Sequence, residues 1–173
     1  MLFDIPATPE IWAISLVYFA QGLLGISRLA LSFYYKDTLH LNPADLSVIY
    51  SISVIPWIIK PLYGFITDTF PLFGYKRKSY LILSSLLSTA SWGVLAFITT
   101  SIKDGNMSAD VLAIIYSVSL VTLSSLGLAF SDVIVDAIVV SKSKTTTDNS
   151  NSGSLQSLCW TSSSLGSIIS AYF

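Results

Sequence analysis

The hydrophobic residues of this chain fall into five long blocks separated by short polar segments. The blocks cover residues 11–35, 46–70, 79–102, 111–140 and 154–173. A helix rises about 1.5 Å per residue, so about 20 residues cross a hydrocarbon core of about 30 Å. Each block has that length or more, and no strand pattern of alternating polar and apolar residues is evident. The pattern predicts an all-α membrane protein with about five transmembrane helices.

The charges of the connecting loops predict the orientation in the membrane. Positive residues are more frequent in the second and fourth loops than in the first and third. The second and fourth contain Lys76, Arg77, Lys78, Lys142 and Lys144, and the other two contain Lys36 and Lys103. Cytoplasmic loops are enriched in Lys and Arg. We therefore expect a multi-pass protein with a cytoplasmic N-terminus. The polar stretch 141–153 is predicted to be an exposed, flexible loop.

Composition supports a membrane protein and disfavours several other classes. The chain is 53% hydrophobic and 11% charged, whereas about a quarter of a soluble domain is charged. A net charge of −1 argues against nucleic acid as a partner. Cys159 lies in an apolar block and is expected to be a packing residue. His40 lies in an outward loop without a cluster of metal ligands, so we expect no metal, no cofactor and no enzymatic activity.

Four charged residues interrupt the apolar blocks, namely Arg28, Lys60, Asp132 and Asp136. A charge at the bilayer centre costs about 2.5–3.5 kcal/mol, so these side chains are expected to face one another or water. Lys60 and Asp132 both lie about 13 Å of helical rise from the cytoplasmic end of their blocks. This shared depth predicts an ion pair between the second and fourth helices. For Arg28 and Asp136 the alternative is a position near a helix end, from which the side chain reaches the interface.

The two acidic residues suggest a site for a cation or a proton. Asp132 and Asp136 are four positions apart and therefore share a helix face. Two neighbouring carboxylates favour protonation of one of them, because their like charges repel. The alternative is that both only accept structural ion pairs.

Proline and glycine mark irregular or tightly packed places in the first two helices. Pro56 and Pro61 bracket Lys60 and predict a kink, since proline removes backbone hydrogen bonds. Gly22 and Gly25 allow another backbone to approach the first helix closely, and Gly64 does so in the second. Close packing without a ligand is the simpler interpretation of each glycine.

The loop after the second block resembles a signature of the major facilitator superfamily. It consists of Gly64 and Asp68 at the helix end, followed by Gly74 and the basic residues 76–78. In physical terms, glycine permits tight helix contact, and the basic residues favour the cytoplasmic surface. The resemblance implies that Gly64, Asp68, Gly74 and Arg77 form a cytoplasmic gate motif.

The wider sequence resembles the folate-biopterin transporter family along nearly the whole chain. The matching segments are residues 18–22, 28–30, 56–64, 71–80, 131–137 and 153–160. The resemblance implies the N-terminal part of a major-facilitator-type protein of about twelve helices in two bundles. The sixth helix and the second bundle would then lie outside this sequence and form the remaining half of the transporter. Many relatives have an acidic residue where Ser141 stands, which removes one candidate gate contact.

The resemblance also implies a function for the charged residues. Folate or pterins would be the substrate, with protons as a possible coupling ion. Arg28 would contact the anionic substrate, and Lys60 and Asp132 would form a switchable pair. Asp132 and Asp136 would lie on the substrate and ion pathway, and Asp68 and Arg77 would belong to the cytoplasmic gate. Two alternatives remain, a major facilitator for other small solutes and a truncated membrane protein that does not transport.

Overall fold

The computed structural model describes residues 8–74, 77–104, 111–145 and 149–172, and these form helices joined by short turns. The helices are α1 (Pro9–Leu23), α2 (Gly25–Phe33), α3 (Pro43–Ile58), α4 (Lys60–Thr69), α5 (Lys78–Lys103), α6 (Val111–Thr145) and α7 (Asn149–Tyr172). A π-helical turn, Tyr34–Thr38, extends α2. The described residues contain no strand, which confirms the predicted all-α class.

Among the described residues, four helical segments are long and apolar enough to cross a membrane. They are Pro9–Thr38, Pro43–Thr69, Lys78–Ile102 and Val111–Ser141, and they coincide with the first four hydrophobic blocks. Residues 154–172 of the fifth block belong to α7 and are helical as predicted; Phe173 lies outside the described residues. Serine is frequent in α7, and this helix does not reach the same mean hydropathy. Its passage across the membrane therefore stays a prediction.

Two of the four spans are interrupted. The first breaks at Leu24, between α1 and α2. The second breaks at Ile59, whose φ of −90° and ψ of 8° lie outside the helical region. Pro56 and Pro61 flank this second break, and each lacks the N–H that would bond the carbonyl four residues earlier. The predicted kink is thus present, and it directly precedes Lys60.

The predicted loop at residues 141–153 is wrong where the structure describes it. α6 continues to Thr145, and α7 begins at Asn149; residues 146–148 lie outside the described residues. Serine and asparagine are polar but do not prevent a helix, whose backbone hydrogen bonds are independent of side-chain polarity. Polar composition alone was therefore a poor guide to this segment.

The chain divides into two units, and the first comprises residues 1–31 and 135–173. Within it, α1 packs directly on α7 through glycine. A Cβ added to Gly22 would overlap the carbonyl oxygen of Ser163 and lie 2.9 Å from the nitrogen of Ser167. A Cβ on Gly166 would lie 3.1 Å from the Cα of Gly22. The predicted close approach at Gly22 is therefore a backbone contact, whereas Gly25 faces the side chain of Ser170.

The second unit, Ser32–Ile134, contains α3, α4, α5 and most of α6. α5 and α6 approach closely at Gly127, where an added Cβ would lie 2.6 Å from the carbonyl oxygen of Ser84. The ring of Phe130 lies between those of Tyr63 and Tyr80, with centroid distances of 4.7 and 5.7 Å. These contacts fix the register of α6 against α4 and α5. That register in turn determines which residue faces Lys60.

Candidate functional site

The centre of the candidate site is an ion pair in the second unit. The Nζ of Lys60, the first residue of α4, lies 2.5 Å from the Oδ2 of Asp132 on α6. The two side chains are 32% and 13% exposed. The contact that shared membrane depth predicted is therefore present. Most of the surface of both charges is removed from solvent, so each depends on the other for neutralisation.

An aromatic ring covers the same ammonium group. The Nζ of Lys60 lies 4.3 Å from the centre of the Trp57 ring, within the range of a cation–π interaction. The indole Nε1 donates a hydrogen bond to the Oγ of Ser125 at 3.0 Å. Ser125 in turn donates to the backbone carbonyl of Ser53 at 2.6 Å. Lys60 is thus held from two directions, by a carboxylate and by an anchored indole.

Sequence reasoning missed Trp57 and Ser125 as parts of this site. Their spacing from Asp132 and Lys60 along the sequence could have identified them. Ser125 and Asp132 are seven positions apart, or about two helical turns, and therefore project from the same side of α6. Trp57 lies between the two prolines and three positions before Lys60, on the facing segment.

Asp136 and Arg28 belong to the first unit. The phenol of Tyr18 on α1 donates a hydrogen bond to the Oδ1 of Asp136 on α6. Asp136 and Arg28 are both exposed. Sequence reasoning did not identify Tyr18, because a tyrosine in an apolar helix is commonplace.

The predicted gate residues lie in α4 and in the segment that follows it, with Gly64 at the middle of the helix and Asp68 near its end. Arg77 directs both Nη2 and Nε to the Oδ1 of Asp68, at 3.0 and 3.3 Å. Gly74 adopts a φ of +79°, a conformation that glycine accepts readily. Gly64 makes only an ordinary contact, since an added Cβ would lie 3.6 Å from a methyl group of Val133. Lys76 lies outside the described residues.

Within the described residues, helices long enough to span a membrane and an ion pair between two of those spans indicate a membrane-embedded protein. Comparison with known proteins narrows this class. The sequence profile of the BT1 family matches residues 21–173. The chain belongs to the BT1 family, and it is an integral membrane protein.

Several curated relatives align with most of this sequence. A folate-biopterin transporter of Synechocystis sp. is 43% identical over 94% of this chain and 30% of its own length. Probable folate-biopterin transporter 4 of Arabidopsis thaliana is 34% identical over 91% of this chain and 30% of its own length. Folate transporter 2 of Plasmodium falciparum is 31% identical over 91% of this chain and 32% of its own length. No solved structure gives a significant match.

The chain therefore spans about a third or less of the length of these relatives. Their names describe transporters, which agrees with the membrane-length helices of this chain. The family and the membrane location are established by these findings. The major-facilitator architecture stays a prediction from the loop signature.

Proposed function

We propose that the protein to which this chain belongs transports folate or pterins across a membrane, and that this chain supplies part of the transport pathway. The observation that carries the proposal is the Lys60–Asp132 pair, which lies within the membrane spans and is largely shielded from solvent. Ionisable residues at such depth are costly and typically mark substrate or ion pathways. The names of the relatives supply the substrate class.

The pair is suited to an anionic, aromatic substrate. Folate has glutamate carboxylates, which can replace Asp132 as the partner of Lys60 in a charge-assisted hydrogen bond. Its flat pteridine ring can stack on an aromatic side chain, and Trp57 lies beside the ammonium group. Exchange of one carboxylate for another would release Asp132 without leaving the lysine charge unpaired. This exchange is the switch that we assign to the pair.

The other charged residues have proposed roles on the same pathway. Arg28 provides a second contact for the substrate anion, since guanidinium binds carboxylate through two parallel hydrogen bonds. Asp132 and Asp136 are the candidate proton carriers for coupled transport. The remaining helices of the transporter complete the pathway, because alternating access requires two halves that move about a shared site.

Asp68 and Arg77 form the proposed cytoplasmic gate. Their side chains are 58% and 30% exposed, so water competes with the contact and the pair can open at small cost. This weakness suits a contact that breaks and reforms in each transport cycle. The proposal includes a cytoplasmic N-terminus, which places the loop after α4 on the same side.

Uptake of radiolabelled folic acid and biopterin tests the function. Cells expressing the full-length protein are compared with cells expressing Lys60→Ala, Asp132→Ala and the exchanged double variant Lys60→Asp/Asp132→Lys. Both single variants should lose most of the uptake, because each leaves an unpaired charge in the membrane. The exchanged variant should recover part of it. Lys36→Ala, in an exposed turn, is the matched control and should transport normally.

Two results would contradict the proposal. If the wild-type protein reaches the membrane but takes up neither compound, the substrate class is wrong. If Lys60→Ala and Asp132→Ala transport as well as Lys36→Ala, the pair lies outside the pathway. Normal uptake by Arg28→Ala would remove the role of Arg28 alone.

A further inference from the structure

We infer that Ser125 is a positioning residue, which acts through Trp57 to hold the Lys60 ammonium group in reach of its partner carboxylate. The inference rests on the proposed function of the Lys60–Asp132 pair and adds a residue that does not touch either charge. It follows from one continuous set of contacts within the second unit. The set runs from the Ser53 carbonyl through Ser125 and Trp57 to Lys60.

The helix break gives Ser125 its importance. Trp57 belongs to the end of α3, Lys60 begins α4, and Ile59 between them is not helical. Pro61 also has no N–H to bond the carbonyl of Trp57, so the backbone ladder between α3 and α4 lacks a hydrogen bond at this point. The cation–π contact between Trp57 and Lys60 is a side-chain interaction that crosses the break. The position of the indole thus sets where the first turn of α4 places its ammonium group.

Ser125 fixes that indole. Its hydroxyl accepts from the Nε1 of Trp57 and donates to the Ser53 carbonyl, which uses both of its hydrogen-bonding functions. Ser53 itself is buried and lies four positions before Trp57, on the same side of α3. Without the hydroxyl, the indole N–H would lose this acceptor, and the hydrogen bond would no longer fix the orientation of the ring. A turned ring no longer stacks on Lys60.

Two contacts therefore join α6 to the broken span, one on each side of the break. Ser125 holds α3 through Trp57, and Asp132 holds α4 through Lys60. When an anionic substrate displaces Asp132, only the second contact opens. The first remains, so Lys60 stays beside the indole instead of following Asp132. This arrangement keeps the ammonium group in the position where the substrate meets it.

Substrate kinetics of the full-length protein test the inference. Ser125→Ala should raise KM for folic acid about fivefold, the size of one lost hydrogen bond, while Vmax per membrane-inserted protein is retained. A merely structural defect would instead lower the amount of membrane-inserted protein and leave KM unchanged. Ser125→Thr keeps the hydroxyl and should restore KM. Ser119→Ala is the matched control, because the hydroxyl of Ser119 bonds the carbonyl of Ile115 in its own helix at 2.7 Å.

A thermal unfolding cycle tests the same contact without any substrate. Ser125→Ala and Trp57→Phe remove the same hydrogen bond between the two side chains, so the Tm loss of the double variant should be smaller than the sum of the two single losses. Ser125→Ala should also shift Tm by less than half as much in a Lys60→Met background as in the wild type. Additive shifts in both cycles, or an unchanged KM for Ser125→Ala, would overturn the inference. If the wild type takes up neither folic acid nor biopterin, the proposed substrate class fails, and the unfolding cycles still decide the role of Ser125.

Discussion

A charge buried in a membrane depends on its partner far more than a charge at a surface does. Lys60 and Asp132 illustrate this, because both are largely shielded and each is the other's counter-charge. Removing one partner leaves the remaining charge without compensation, at a cost of about 3–5 kcal/mol. We expect Lys60→Met and Asp132→Leu each to lower the free energy of unfolding by about 3 kcal/mol, near the lower limit because Lys60 keeps 32% exposure.

The double variant Lys60→Met/Asp132→Leu distinguishes the cost of one unpaired charge from the loss of the ion pair as a whole. It removes both charges together and should therefore be more stable than either single variant. Denaturant unfolding of the purified full-length protein in detergent measures the difference, with Lys36→Met as the control. A double variant that loses as much as the two single variants combined would mean that the charges do not compensate each other.

Gly74 gives a second test at the level of one residue. Its φ of +79° costs other residues roughly 1–2 kcal/mol, and no neighbouring atom lies within 4 Å of an added Cβ. Gly74→Ala should therefore destabilise the turn between Asp68 and Arg77 through backbone strain alone, seen as a lower Tm. Gly153→Ala is the matched control, since its Cβ would also meet open space and alanine favours the helix. Equal Tm values would argue against a left-handed turn at Gly74.

Individual contacts were predictable only where a charge had to be neutralised. Lys60 and Asp132 could be paired because each is costly in a membrane and both lie at one depth. The indole of Trp57 and the phenol of Tyr18 gave no such signal, because both rings are tolerated in apolar helices with or without a partner. Their acceptors lie 68 and 118 positions away, so only the fold reveals them.

At the level of helices, the hydrophobic blocks predicted the spans because block length is set by bilayer thickness. The break at Ile59 was predictable from Pro56 and Pro61, since proline removes backbone hydrogen bonds. The break at Leu24 was not, because the adjacent glycines had indicated only close packing. Helix ends near the last loop were also missed, since polar residues there were interpreted as a loop.

The contact between α1 and α7 leads to a prediction about helix packing. Gly22→Ala should lower Tm by several degrees, because its Cβ would overlap the Ser163 carbonyl and force the two backbones apart. Gly93→Ala, on an exposed face of α5 with open space around it, should leave Tm unchanged or raise it. Thermal unfolding of the full-length protein compares the two. Equal losses would show that helix propensity, not the contact with α7, governs Gly22.

For the molecule as a whole, membrane orientation is the most direct prediction from sequence. Single cysteines at position 40 or 104 should react with a membrane-impermeant maleimide added outside intact cells, in a full-length protein without other accessible cysteines. A cysteine at position 73 should react only after permeabilisation, because the adjacent basic residues favour the cytoplasm. A cysteine replacing Lys36 provides a further outward control. The reverse labelling pattern would place the N-terminus on the opposite side.

The direct backbone contact of α1 with α7 has a consequence for the movement of these helices. Where Gly22 and Gly166 meet, there is no intervening layer of side chains that could deform and absorb a displacement. A tilt of α1 should therefore move α7 with it, because the two backbones are in direct contact. Tyr18 lies one turn before Gly22 on α1, so the same tilt would pull its hydroxyl away from the carboxylate of Asp136 on α6.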